Sequence, residues 1–283
     1  MTSELASRAR ADYSRARAKS FLNRIRAALS GQPTRLLSYD DVREKLRVGG
    51  PIYRGVQTIR LDQVAGSLNR YHQFDRAFLP TQDDTASRWQ RIDRAFYEDI
   101  SLPPVVLYKV GQVYFVVDGH HRVSVAREQG QEFIEAEVRE CATRVNITPD
   151  LRPEDLEILG EKVRFLERTR LDDLRPKAKI RLTIPDGFQR MLEHIAVHRY
   201  FMGIDLQRDI PDEEAVIHWF DTVYLPIVKV IRSSKILEEF PGKTEGDLYL
   251  WALDHQRYLA EQEGQPLQPP RKAAQDFIEE IDP

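Results

Sequence analysis

The sequence predicts an α+β protein, and three observations carry that prediction. Two runs rich in β-branched residues, 105–110 and 113–117, flank the dipeptide Gly111-Gln112, the pattern of a hairpin whose two-residue turn has glycine first. Apolar residues recur three and four apart at Trp89, Ile92 and Phe96, and again at Leu156, Leu159, Val163 and Leu166, which is the helical period. Most strand signals fall within residues 52–140, whereas the stretch from 181 onward reads as mostly helical, so sheet and helices are largely segregated along the chain.

Taken in order, residues 5–30 form a basic helix with Leu22, Ile25 and Leu29 on one stripe, stopped by Gly31 and Pro33. Ser38, followed by Asp41, reads as the N-cap of a short helix over 40–48, closed by Gly49, Gly50 and Pro51. Val56, Thr58, Ile59 and Leu61 mark a first strand, followed by a polar loop through Ser67, Arg70 and Asp75. A helix after Asp84 ends at Pro103 and Pro104. The hairpin follows, with 114–117 apolar throughout and therefore interior to a sheet. A short helix closes at Gly130, and residues 133–138 supply the last strand. Beyond a helical linker, 141–180, come a strand candidate at Ile180, Leu182 and Ile184 and helices over 187–202, 212–233 and 245–261, the middle one kinked at Pro226. Thr244 with Asp247 resembles a capping box. The domains expected are a basic arm, 1–50; an α+β domain, 52–140; the linker; an acidic helical domain, 181–264; and a proline-rich tail, 265–283, loose apart from a short apolar piece around Phe277 and Ile278.

At 283 residues, 41% hydrophobic and 31% charged, the chain is long enough for two cores and too mixed for a fibre or a disordered tail. Its least charged stretch, 215–231, is broken by His218, Asp221, Pro226 and Lys229, so no membrane partner is expected. The single cysteine, Cys141, cannot close an intrachain disulfide, which points to the cytoplasm. The acid-poor composition of 3–29 also suits a transit peptide. The net charge of −3 hides a gradient: residues 1–50 carry 11 Lys/Arg against 5 Asp/Glu, and residues 181–283 carry 11 against 19. DNA binding would therefore have to work through residues 1–50.

The chemistry concentrates at a strand-to-helix junction, Asp118-Gly119-His120-His121-Arg122. A helix N-terminus offers unpaired N–H groups and a positive dipole end, and a glycine lets backbone approach an anion. Gly119, His121 and Arg122 are thus candidate phosphate-binding residues, while Asp118 and His120 are candidates for holding a metal or moving a proton. The bland alternative is a polar, capped turn. Arg70 and Asp75, with His72 and Arg76, form a second polar cluster that could fold over a nucleotide or remain a solvated loop.

The hairpin, DGHHRVSVAREQG and a closing strand resemble the core of the ParB/sulfiredoxin superfamily over residues 52–140, implying a mixed-sheet core of that type behind the N-terminal helices. In the sulfiredoxin branch the turn is Gly-Cys-His-Arg; His120 stands where its nucleophilic cysteine would be, so the resemblance implies no sulfinic acid reduction. In the ParB branch, which binds CTP, the turn is Gly-Glu-Arg-Arg and a basic helix-turn-helix follows; no such helix is evident here. Free-serine kinases, which use ADP or ATP, are similar in Asp-Gly-His-x-Arg, matched by residues 118–122 at every fixed position. They also take a carboxylate base from an early loop, for which Asp62 and Asp75 are candidates. The resemblance implies a nucleotide partner (ATP, ADP or CTP with Mg²⁺), a small-molecule phosphoryl acceptor, and either phosphotransfer or nucleotide hydrolysis, with a nucleotide-switched DNA-binding regulator as the alternative.

His194 and His198, four apart on a predicted helix, have the ligand spacing of many zinc sites but lack the accompanying glutamate. Trp219, Tyr224, Tyr249, Trp251 and Tyr258 read as core or interface aromatics, so the helical domain could build a homodimer or cover a substrate.

Overall fold

The computed structural model describes residues 2–30, 33–263 and 268–281. The chain divides into two compact units, Met1–Leu156 and Glu157–Pro283.

In the first unit α1 (Thr2–Ser30) leads through β1 (Leu37–Ser38) into α2 (Tyr39–Lys45), whose start is fixed by the Ser38 hydroxyl accepting from the Asp41 N–H at 3.3 Å. β2 (Pro51–Arg60), β3 (Val64–Ser67), α3 (Ala86–Tyr97), β4 (Val105–Val110), β5 (Val113–Asp118), α4 (His120–Glu128) and β6 (Phe133–Cys141) complete it. The six strands form one mixed sheet in the order β1-β3-β5-β4-β6-β2. β4 and β5 are the antiparallel hairpin, and β4 also runs parallel to β6, so Leu107, Val116, Ala136 and Val138 sit at the sheet centre with Val123 of α4 packed in the same core.

Two features depart from the sequence expectation. The segment after the first strand is not all loop, because Val64–Ser67 is a fully buried strand running parallel to β5. Its Gly66 lies so close to β5 that a Cβ there would sit 2.1 Å from Cδ1 of Phe115. The N-terminal helix is also not a detached arm. Ala9, Tyr13 and Ala16 are buried; Tyr13 meets Trp89 of α3 edge-on at 5.5 Å, and Lys19 reaches Glu128 of α4 at 2.8 Å.

The second unit is helical. The division falls in α5 (Asp155–Thr169), followed by α6 (Leu171–Leu174), α7 (Gly187–Leu206), α8 (Asp212–Trp219), α9 (Leu225–Ser234), α10 (Glu245–Glu263) and α11 (Pro270–Ile281). A single π turn, Phe220–Tyr224, joins α8 to α9, so the break in the predicted long helix lies just ahead of Pro226, which needs no N–H donor in the first turn of α9.

The strand expected at 180–184 does not form. Asp247, the reciprocal partner of Thr244 at the start of α10, also takes the Thr183 N–H at 2.8 Å, and the Arg181 carbonyl accepts from the Thr244 hydroxyl at 2.7 Å, so this backbone is bonded to a helix cap. The apolar piece around Phe277 and Ile278 belongs to a helix that is longer than expected and takes in most of the described tail. Ala273, Ala274 and Phe277 give α11 a buried stripe against α9 and α10, with Pro270 at its start; residues 264–267 lie outside the described residues. Among the described residues no helix is long and apolar enough to cross a membrane.

Candidate functional site

β5 delivers Asp118 to the sheet edge, Gly119 turns the chain at φ 98°, and α4 begins at once. Only glycine fits this turn: the dihedral is left-handed, and a Cβ would lie 2.5 Å from Cγ1 of Val105. No side chain caps α4, so its first-turn N–H groups remain available at the end where the helix dipole is positive.

His120 and His121 are both buried. Nε2 of His120 is 2.8 Å from the Ser67 hydroxyl, which β3 places there, and Phe74 stacks on His120 and meets His121 edge-on. Nδ1 of His121 is buried with no hydrogen-bond partner among the described residues. Burial first, then Arg70 and the neighbouring His121, pushes the His120 pKa down to about 4. Burial, then Arg88 and Arg70, does the same to His121, also to about 4. Both rings are therefore neutral at neutral pH and surrounded by positive potential.

These groups line a cavity of about 170 Å³ with Arg70, Arg88, Ile92, Val117, Asp118 and Arg122. Arg70 donates to Oε1 of Gln73 at 3.1 Å, and Arg88, exposed on α3, has no hydrogen-bond or ion-pair partner among the described residues. Arginines from three segments, Arg70, Arg88 and Arg122, thus line the start of α4, and Asp118 is the only carboxylate among the described lining residues.

Arg122 is differently engaged from the open fork that the sequence suggests. It holds Oδ2 of Asp118 at 2.6 Å, the Pro104 carbonyl at 3.0 Å and the Pro103 carbonyl, which ties the turn to the segment entering β4. Ile92 and Arg122 also line an adjoining, more apolar cavity of about 520 Å³, walled by Phe96, Pro104, Val125 and Phe133 and edged by Asp99, Gln131 and Glu135.

The structure brings Arg70, Asp118, Gly119, His120, His121 and Arg122 together and corrects the grouping of Asp75 with them. Oδ1 of Asp75 accepts the Ala77 and Leu79 N–H groups, each at 2.9 Å, and the residue lines a separate cavity of about 770 Å³ beside α1, its pKa raised chiefly by burial. Asp62, the other candidate base, is paired with Arg60 at 2.5 Å and lines neither cavity beside the turn. His194 and His198 do not share a ligand position: Nδ1 of His194 is 3.1 Å from the Tyr249 hydroxyl, and Nε2 of His198 is 2.7 Å from Nδ1 of His218. Among the described residues no group of three or more His, Cys, Asp or Glu side chains is arranged to hold a metal.

Sequence reasoning missed Ser67 and Arg88. The run Val64-Ala65-Gly66 was the available signal for a short buried strand that would carry Ser67 inward. Arg88 directly precedes Trp89, the first residue of the predicted helical stripe, and so belonged to the polar face beside it. Neither protein-family models nor curated proteins provide a match to this chain.

Proposed function

We propose that the first unit binds the phosphate end of a nucleotide at the Asp118–Arg122 turn and uses it in phosphoryl transfer or hydrolysis, as the resemblance to the ParB/sulfiredoxin superfamily implies. The observation that carries this reading is that Arg70, Arg88 and Arg122 line one cavity at an uncapped helix start behind a left-handed glycine. The cavity of about 170 Å³ suits phosphate groups and is too small for a whole nucleotide. The adjoining cavity of about 520 Å³, which shares Ile92 and Arg122, is where the nucleoside fits.

Arg88 and Arg70 supply the free positive charge, and the α4 N–H groups supply directed donors. Asp118, the carboxylate among the lining residues, is the side chain that would hold a Mg²⁺ ion, which would supply charge neutralisation for the phosphates. His120, kept neutral and fixed by Ser67, is able to accept a proton once the anion arrives. The alternative of a DNA-binding regulator has less support, because Arg17 and Lys19 of α1 are tied to Asp83 and Glu128.

The test is a thermal-shift titration of the full chain with ATP, ADP and CTP, each with and without Mg²⁺. A nucleotide at 100 times its Kd stabilises the native state by about 2.7 kcal/mol. Arg88→Ala, an exposed substitution, should leave the unliganded melting temperature unchanged and remove the shift. No shift with any of the three nucleotides would refute the proposal.

A further inference from the structure

The basic residues along α1 fall into two groups. Arg15, Arg17 and Lys19 are paired with Asp12, Asp83 and Glu128. Arg24 and Arg26, in the last two turns, have no hydrogen-bond or ion-pair partner among the described residues, and residues 13–39 contain no Asp or Glu. Both line the cavity of about 770 Å³ beside α1, together with Arg35, which also has no side-chain partner among the described residues, and Arg76. Arg24 lies over the Phe21 ring at 5.5 Å, a contact that leaves its N–H groups free. Nη2 of Arg76 donates to the Pro149 and Leu151 carbonyls, while its Nη1 is buried with no hydrogen-bond partner among the described residues.

Four arginines thus line one cavity against a single carboxylate, Asp75, among the described lining residues. Uncompensated positive charge around a concave site attracts anions, and a guanidinium grips carboxylate or phosphate with two parallel donors.

Asp75 sets a second requirement. It is 8% exposed, and its Oδ1 is satisfied by the Ala77 and Leu79 N–H groups. Oδ2 is buried with no hydrogen-bond partner among the described residues, although Ser20 and Asn23 of α1 stand near the carboxylate. An unmet buried acceptor calls for a donor. That donor is a hydroxyl and not an ammonium, because the surrounding guanidinium groups repel a cation. Tyr71 and Phe74 add apolar wall, Thr34 and Gln82 add neutral polar groups, and the volume falls within the roughly 300–1,000 Å³ of small-molecule sites.

We infer that this cavity binds a small hydroxylated organic anion, a hydroxycarboxylate or a sugar phosphate, with its charged end on Arg24, Arg26 and Arg35 and its hydroxyls towards Asp75. The site is distinct from the Asp118–Arg122 turn, since the two cavities share no lining residue.

The test is isothermal titration calorimetry of the full chain with citrate and with glucose 6-phosphate, in buffer free of divalent cations. Binding of either supports the inference and tells which anionic group is preferred, and neutral glucose should not bind. The analogue without hydroxyls, tricarballylate for citrate or inorganic phosphate for glucose 6-phosphate, should bind at least about tenfold more weakly, the loss expected for one hydrogen bond to a charged group. Arg26→Ala and Arg35→Ala, both at exposed positions, should leave the unliganded melting temperature unchanged and each raise Kd at least about tenfold, whereas Arg88→Ala should not alter it. Absence of binding by both anions overturns the inference, as does an analogue without hydroxyls that binds as tightly as its parent. Binding lost in Arg88→Ala but kept in Arg26→Ala and Arg35→Ala also overturns it, since the anion would then sit at the turn, and the nucleotide reading would stand untouched.

Discussion

Acid should destabilise the first unit through His120 and His121, and the size of the effect follows from their burial. In an unfolded chain each histidine takes a proton near pH 6.5, whereas in the fold both are held down to about 4. The folded state therefore binds fewer protons between those values, and stability is lost as pH falls from 6.5 towards 4, with no further loss from these groups below. Each excluded proton costs about 1.4 kcal/mol per pH unit, so at about pH 5 each histidine removes roughly 2 kcal/mol relative to about pH 7.5.

Asp93 acts in the opposite sense. Burial raises its carboxyl to about 6, so it takes up its proton earlier in the fold and offsets part of the loss below pH 6. The clean measurement is therefore a difference. Melting temperatures of the wild type, His120→Gln and His121→Gln are compared across about pH 7.5 to 5. For a unit of this size, 2 kcal/mol corresponds to about 4–8 °C, and each variant should lack that share of the acid-induced drop. Parallel profiles for all three proteins would mean that the rings are not held neutral, and the electrostatic description of the cavity would fall with them.

Nucleotide binding should draw protons onto the two histidines, since an anion reverses the field of Arg70 and Arg88; titration calorimetry in two buffers of different ionisation enthalpy would show uptake, and equal heats would argue against it. Gly119→Ala forces a side chain into a left-handed turn against Val105 and should cost roughly 2–4 kcal/mol, read by urea denaturation. Trp89→Phe leaves the buried Ser124 hydroxyl without its 2.9 Å donor and opens a void, so a loss of about 2 kcal/mol should appear in the same assay. Phe277→Ala should destabilise the second unit by about 3 kcal/mol if α11 packs as described, while a disordered tail would be indifferent to it.

What could be read from residues alone was whatever repeats over a long enough window or carries an unambiguous turn. The β4–β5 hairpin, the junction at residues 118–122, the stripe of α5 and the reciprocal Thr244–Asp247 cap are of that kind. β1 and β3 contain two and four residues, too few for a period to show, and their strand character comes from pairing with residues distant in sequence. Residues 180–184 alternate as a strand should, yet the Thr183 N–H and the Arg181 carbonyl are bonded to two side chains, Asp247 and Thr244, that lie sixty-odd positions later. The site was legible in its loop and illegible in its walls: Arg88 and Ser67 arrive from elements whose placement depends on the whole sheet, whereas the histidines and Gly119 are contiguous.

The tether from Arg122 to Asp118 bears on the order in which the ligands of the proposed site would enter. The guanidinium already holds a carboxylate, one that is largely solvent-facing, so the pair is of the kind an anion exchanges at small cost. If the turn takes phosphate as proposed, the anion would compete with Asp118 for Arg122, and the carboxylate would be free to meet a divalent cation only once displaced, so magnesium alone should leave the protein unchanged.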